Sequence, residues 1–257
     1  MPMNVELHIK TGFKNQKTYL ETAYFTPPLK VANITENRVG GGLQLMLMSA
    51  SPRILDGDNY RLKIDLAADS SLQLQTQSYQ RLFTMRGSAM QHFEVFLSKN
   101  AHFSYIPHPL VPHEGSRFFS KNNLYLSDNC TLIWGEILTC GRKLNGEIFK
   151  FSTLHSLTNI YLNKRLFIME NLYIEPTSMD LNAMGQLEGF SHQASLIYIN
   201  ELANIKVLKE KITAFLTPQK DIVFGLSEPP VNGLIVRILG QKAEQLYACL
   251  KTIASFM

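Results

Sequence analysis

Tyr60-Arg61-Leu62-Lys63-Ile64-Asp65-Leu66 alternates apolar and polar residues without a break. A period of two places every apolar side chain on one face of an extended chain, so this stretch reads as a strand with one buried side. Asp56-Gly57-Asp58 lies just before it and reads as the turn that opens it. The same alternation recurs outward in both directions. It is carried by Val5-Leu7-Ile9, Leu43-Leu45-Leu47, Leu72-Leu74, Phe93-Val95-Leu97, Leu124-Leu126, Leu132 to Leu138, Phe149-Phe151 and Leu166-Ile168. Counted by alternation, the chain holds roughly fifteen to eighteen short strands, and Asn145-Gly146 is a further turn signal.

Helical spacing enters only late. Glu201-Leu202-Ile205-Leu208-Ile212-Phe215-Leu216 follows the i, i+3, i+4 rule, with Pro218 just beyond its end. A strand-like Leu234 to Leu239 then leads through Gly240 into an amphipathic closing helix from Gln241 to the end, with Leu246, Leu250 and Ile253 on one stripe. That stripe is expected to pack on the protein's own sheet; an exposed Phe256-Met257 end would instead suit a helical partner. No long linker, low-complexity tract or repeat of fixed period marks a boundary, so residues 1–257 read as one domain, mainly β, with about two α-helices in the C-terminal third.

Of the 257 residues 45% are hydrophobic and only 18% charged, which excludes disorder as the main state. Lys and Arg total 25 against 21 acids, a net +4 with no long basic run, so neither nucleic acid nor an anionic membrane is an expected partner. Cys130, Cys140 and Cys249 are odd in number and far apart, and form no disulfide framework. With no apolar leader at the start and no stretch long enough for a membrane helix, the expected location is the cytoplasm.

Enzyme signatures are missing: there is no GxSxG, no GxxxxGK[ST] and no HExxH. Gly40-Gly41-Gly42 precedes a strand rather than a helix, so it reads as a turn or a close backbone approach and not a phosphate cradle. His108 and His113 bracket a stiff Pro-rich segment, Pro107 to Pro112, that cannot put them on one helical face. With no third ligand at a fixed spacing, this segment reads as a structural loop. Glu136 interrupts Leu132-Ile133-Trp134-Gly135-Glu136-Ile137-Leu138 and by alternation shares a face with Leu132 and Trp134. A carboxylate on a core face must pair with a cation such as Arg142, accept several hydrogen bonds, or line a hydrated cavity.

The order of motifs resembles the urease accessory protein UreD family, called UreH in some lineages. The resemblance runs through Phe25-Thr26-Pro27-Pro28-Leu29-Lys30, Gly57-Asp58, Leu72-Gln73-Leu74-Gln75-Thr76-Gln77 with Arg81, and Tyr105 to Pro112. It continues with Ser116-Arg117-Phe118, Trp134-Gly135-Glu136 ahead of Gly141-Arg142, Gly146-Glu147, and Gly233-Leu234-Ile235-Val236-Arg237. It implies a non-catalytic scaffold built as a β-helical stack of sheets. The implied partners are a UreF-like helical accessory protein, a nickel-carrying UreG-like GTPase and apo-urease. The resemblance further implies that no cofactor is permanently bound and that nickel passes through a water-filled tunnel.

A conduit for Ni²⁺ needs oxygen or imidazole groups that replace water briefly and hold the ion loosely. Asp58 and Glu136 are therefore the acids expected to line it. The alternatives stay open: Asp56-Gly57-Asp58 as an ordinary turn, and Glu136 paired with Arg142. A different expectation is a β-rich protein-binding module with no metal-conducting role. An enzyme would need a nucleophile and base converging in a pocket, and a carbohydrate binder would need an exposed aromatic cluster, which the single Trp does not favour.

Overall fold

The computed structural model describes residues 2–36, 41–51 and 53–257. The chain opens with three strands, β1 (Asn4–Lys14), β2 (Lys17–Phe25) and β3 (Leu29–Asn33). Four successive coils of a β-helical stack follow. The first is β4 (Leu43–Ser49), β5 (Arg53–Ile54) and β6 (Asn59–Leu66); the second is β7 (Ser71–Thr76), β8 (Gln80–Leu82) and β9 (Ala89–Leu97). The third is β10 (His102–Tyr105), β11 (Leu110–Pro112) and β12 (Arg117–Leu126). The fourth is β13 (Thr131–Thr139), a single 3₁₀ turn at Lys143–Asn145, and β14 (Thr153–Leu162). The chain then adds β15 (Arg165–Ile174), β16 (His192–Asn200), α1 (Ile205–Leu216), β17 (Ile222–Ser227), β18 (Gly233–Gly240) and α2 (Ala243–Ala254).

Each coil contributes one strand to each of two facing sheets. One sheet runs β15-β14-β12-β9-β6-β1-β2, the other β17-β18-β16-β13-β10-β7-β4-β3. Neighbouring coils pair in parallel, as in β6 with β9 and β9 with β12, and β1 also joins β6 in parallel, while β1–β2, β3–β4, β14–β15 and β13–β16 pair antiparallel. The short β5, β8 and β11 form a narrow third side.

These coils are a repeat that the sequence reading did not detect. Leu66-x-x-Asp69-x-x-Leu72, Leu97-x-x-Asn100-x-x-Phe103 and Leu126-x-x-Asn129-x-x-Leu132 are the same corner in three successive coils. At each corner the central residue has a left-handed backbone, with φ of 62°, 59° and 57°. Asp and Asn tolerate this conformation better than other non-glycine residues. Successive corners are stitched together by His102 N donating to Ser70 O (2.8 Å) and Thr131 N to Ala101 O (2.9 Å).

The apolar faces of the two sheets meet in one core that includes Leu45, Leu74, Phe103, Leu132, Ile64, Val95 and Leu124. Truncating one of these, such as Leu74→Ala, would cost about 2–5 kcal/mol. A second core lies on the other side of the β13–β16–β18 sheet. There Ile133, Ile137, Leu196 and Val236 meet Leu208 and Ile212 of α1 and Leu246 and Leu250 of α2.

Three local expectations change. Phe149-Phe151 is an irregular connection rather than a strand, because Phe149 has φ 52° and donates its N–H back to Cys140 O at 2.7 Å. The first helix starts at Ile205, not near Glu201: Asn204 caps it by accepting from Val207 N, and Leu202 is exposed. The closing helix starts at Ala243, since Lys242 is extended. Its stripe does pack on the protein's own sheet. The Phe256-Met257 end is half-buried, with Phe256 edge-on against Phe215 at 5.9 Å, so the chain covers this end itself. Gly40 lies outside the described residues. At Gly41 the φ is +73° and a Cβ would come within 2.7 Å of Gln16 O, which fits the close-backbone reading.

Candidate functional site

Parallel stacking puts equivalent positions of successive coils side by side, so a polar residue at one inward position becomes part of a row. Tyr60 of β6 pairs in register with Gln91 of β9, Gln91 with Ser120 of β12, and Ser120 with Ser156 of β14. The adjacent inward row runs Phe93, Asn122, Thr158 and Glu170. On the facing sheet Glu136 of β13 pairs with Ser195 of β16, and Ser195 with Arg237 of β18. A polar band thus runs along the axis of an otherwise apolar interior. Buried polar groups without partners cost about 1–3 kcal/mol each, so such a band requires mutual hydrogen bonds or water.

Glu136 is the charged centre of the band. It lies on the same face as Leu132 and Trp134, as alternation predicts. Its Oε1 accepts from Asn122 Nδ2 (3.1 Å), Trp134 Nε1 (3.0 Å) and Thr158 Oγ1 (2.8 Å); its Oε2 accepts from Ser156 Oγ (3.1 Å). Asn122 Nδ2 also donates to Thr158 Oγ1 at 2.8 Å, which orients that hydroxyl. Arg142 is not the partner: its guanidinium pairs with Glu147, Nε donating to Oε2 at 2.8 Å, and this holds the Glu147 carboxyl below the usual carboxylate range. Among the described residues Glu136 has no salt-bridge partner. A carboxylate surrounded by neutral donors, with Oε2 taking only one of them, has capacity left for a cation.

Glu136 opens onto a cavity of about 90 Å³ that is also lined by Gln91, Ser120, Asn122, Ser156 and Ser195. Tyr105 shares this wall. Its phenol is pushed well above its ordinary value, first by burial and then by the charge of Glu136. A second cavity of about 80 Å³ lies toward β4 and β6, with Tyr60, Thr76 and Arg53 in its walls. The two share Gln80, Gln91, Tyr105, Pro107 and His108. On its other side the Glu136 cavity shares Leu172 and Gln193 with a groove of about 460 Å³ that contains Glu170 and Arg237. A polar site needs only about 10–15 Å³ of such volume per water, so each space has room for several.

The two histidines of the Pro-rich segment diverge. His108 lines both inner cavities, bonds Thr76 Oγ1 through Nδ1 (3.0 Å) and stacks on Tyr247 at 4.4 Å. His113 is 3% exposed, packs on Phe83 at 4.5 Å, and has no partner for Nε2 among the described residues. Asp58 is not brought to Glu136. Its Oδ1 accepts from Met3 N and its Oδ2 from Leu55 N, both at 2.9 Å, so it staples the turn at Gly57, where φ is +80°. It is absent from the walls of the three cavities. Asp56 staples the next corner through Arg86 N and Gly87 N. Cys130 and Cys140 flank β13, and all three thiols are free, buried and pushed up by burial.

Gln80, Gln91, Asn122, Ser156, Thr158 and Ser195 escaped the sequence reading. Their signal was available one strand at a time, since Gln91 stands at an inward position of the alternating Ala89-Gln91-Phe93-Val95-Leu97 and Asn122 between Phe118 and Leu124. One nucleophile and base do touch, Ser191 Oγ with His192 Nδ1 at 2.7 Å, but both residues are 6% exposed and line none of these cavities. Among the described residues no three His, Cys, Asp or Glu side chains converge as a metal cluster, and no helix is long and apolar enough to cross a membrane.

Comparison with known proteins gives a consistent result. The family model described as UreD urease accessory protein matches residues 4–257. A urease accessory protein UreD of Flavobacterium johnsoniae is 45% identical over 249 residues, covering 96% of this chain and 90% of that protein. Those of Acetivibrio thermocellus and Haemophilus influenzae are 35% identical over 252 residues (98% and 96% covered) and 36% identical over 255 residues (94% and 98% covered).

Proposed function

The chain belongs to the UreD urease accessory protein family, and from that premise we propose that it is a non-catalytic cytoplasmic scaffold whose polar axis conducts Ni²⁺ toward apo-urease. It works in a complex with a UreF-like helical protein and a UreG-like GTPase. The observation that carries this reading is Glu136: one carboxylate with no cationic partner among the described residues, held by four neutral donors in a cavity that adjoins a second cavity on one side and an open groove on the other.

The chemistry fits a carrier better than a trap. A closed set of imidazole and thiolate ligands would bind Ni²⁺ too tightly for release, whereas one carboxylate with hydroxyl and amide oxygens exchanges readily with water. His108 supplies an imidazole at the boundary between the cavities. The negative charge of Glu136 draws a divalent cation into a low-dielectric interior and repels anions. The proposed route does not run past Asp58, which lines none of the three cavities and instead accepts from two backbone amides.

Co-expression with the UreF-like protein tests the scaffold role. The pair is expected to elute as one complex by size exclusion, and urease matured without this chain is expected to lack nickel. Urease that acquires its full nickel content without the chain would refute the proposal. A complex that forms normally but whose interior can be made apolar without effect on nickel loading would favour a binding module that conducts nothing.

A further inference from the structure

At the groove end of the band an ion pair lines the wall. Arg237 Nη2 donates to both oxygens of Glu170, at 2.7 and 2.5 Å. Register places the two residues beside the charged centre: Glu170 pairs with Thr158, which donates to Glu136, and Arg237 pairs with Ser195, which pairs with Glu136. Both point into the groove that adjoins the Glu136 cavity through Leu172 and Gln193. Among the described residues no other salt bridge joins the two facing sheets.

We propose that Arg237 is a latch on the conduit: paired, it occupies and neutralises the outer carboxylate; withdrawn, it leaves Glu170 as a second divalent-cation receptor in line with Glu136. This inference rests on the conduit reading above. The pair is poorly placed to be a structural brace. Its side chains are 53% and 30% exposed, and exposed pairs contribute about 0–1 kcal/mol. The sheets are already held by the core and by the β14–β15 and β13–β16 ladders. A weak pair opens at little cost, yet while closed it neutralises the Glu170 carboxylate that lines the groove beside Glu136.

The test is an equilibrium titration of the full-length chain with Ni²⁺ alone. Arg237→Gln is expected to tighten binding about tenfold by removing one nearby positive charge and freeing Glu170. Arg237→Lys is expected to stay near wild type, and Arg237→Gln combined with Glu170→Gln to lose the gain. Glu170→Gln alone leaves Arg237 unpaired in the groove and is expected to weaken binding, which keeps the test decisive should Arg237→Gln not fold. Unchanged affinity in Arg237→Gln, or a gain that survives loss of Glu170, would overturn the latch. Glu136→Gln in the same titration separates the two levels: if it weakens binding while Arg237→Gln is inert, only the latch fails; if both are inert, the conduit fails with it.

Discussion

Gln80 Nε2 donates to Gln91 Oε1 across 3.3 Å, and these two amides stand in the wall between the Glu136 cavity and its neighbour. Gln80 comes from β8 on the narrow third side and Gln91 from β9 in the sheet opposite β13, so the contact spans the interior. Both side chains can rotate without disturbing backbone hydrogen bonds. In the proposed conduit an ion moving between the two cavities passes this pair.

Replacing Gln91 with Leu keeps the approximate shape and removes the polar surface. Stability should change by less than about 1 kcal/mol, because the amide gives up one long hydrogen bond in a hydrated space. Nickel loading of urease should fall several-fold, while Gln91→Asn should retain most of it. Urea denaturation and the metal content of matured urease measure the two effects separately.

Asn100 holds a coil corner at φ 59° and donates from Nδ2 to Asp69 Oδ1 of the preceding corner at 2.8 Å. Asn100→Ala should cost about 1–2 kcal/mol, since alanine resists the left-handed conformation. Asn100→Gly should cost less than Ala, because glycine adopts that backbone freely. Urea midpoints at constant m-value rank the three proteins.

Burial, with the Lys143 charge second, lowers the pKa of His192 from 6.5 to about 4. The folded form keeps this imidazole neutral while the unfolded chain protonates it. Its contribution to stability is therefore fully present above pH 6.5 and is lost progressively as pH falls toward 4, by about 3 kcal/mol at most. His102, His108 and His113 are also lowered, chiefly by burial, and act in the same direction. Unfolding midpoints measured from pH 7.5 to 4.5 should drop across this window, and His192→Gln should flatten part of the decline.

The strands and both helices were legible because Tyr60 to Leu66 and Leu246 to Ile253 carry their period within a single element. The face of Glu136 was legible for the same reason. Its partners were not. Asn122, Ser156 and Thr158 lie 14 to 22 residues away and meet it only through parallel register between coils. Arg142, the cation nearest in sequence, is turned to Glu147 by the 3₁₀ turn at Lys143–Asn145. The coil repeat escaped because β5, β8 and β11 are only two or three residues long, too short for a period to register. Asp58 fits a turn and a lining acid equally well in sequence, and one of its two amide partners, Met3, lies 55 residues away, which local spacing does not show.

The most direct test is the nickel content of urease matured by a complex carrying Glu136→Gln. The substitution keeps the shape and leaves an oxygen for the three donors at Oε1, while Ser156 Oγ can accept from the new amide, so folding and complex assembly should be preserved. The conduit account predicts an intact complex that delivers several-fold less nickel at limiting metal. Full nickel loading at the wild-type rate by that complex would contradict it.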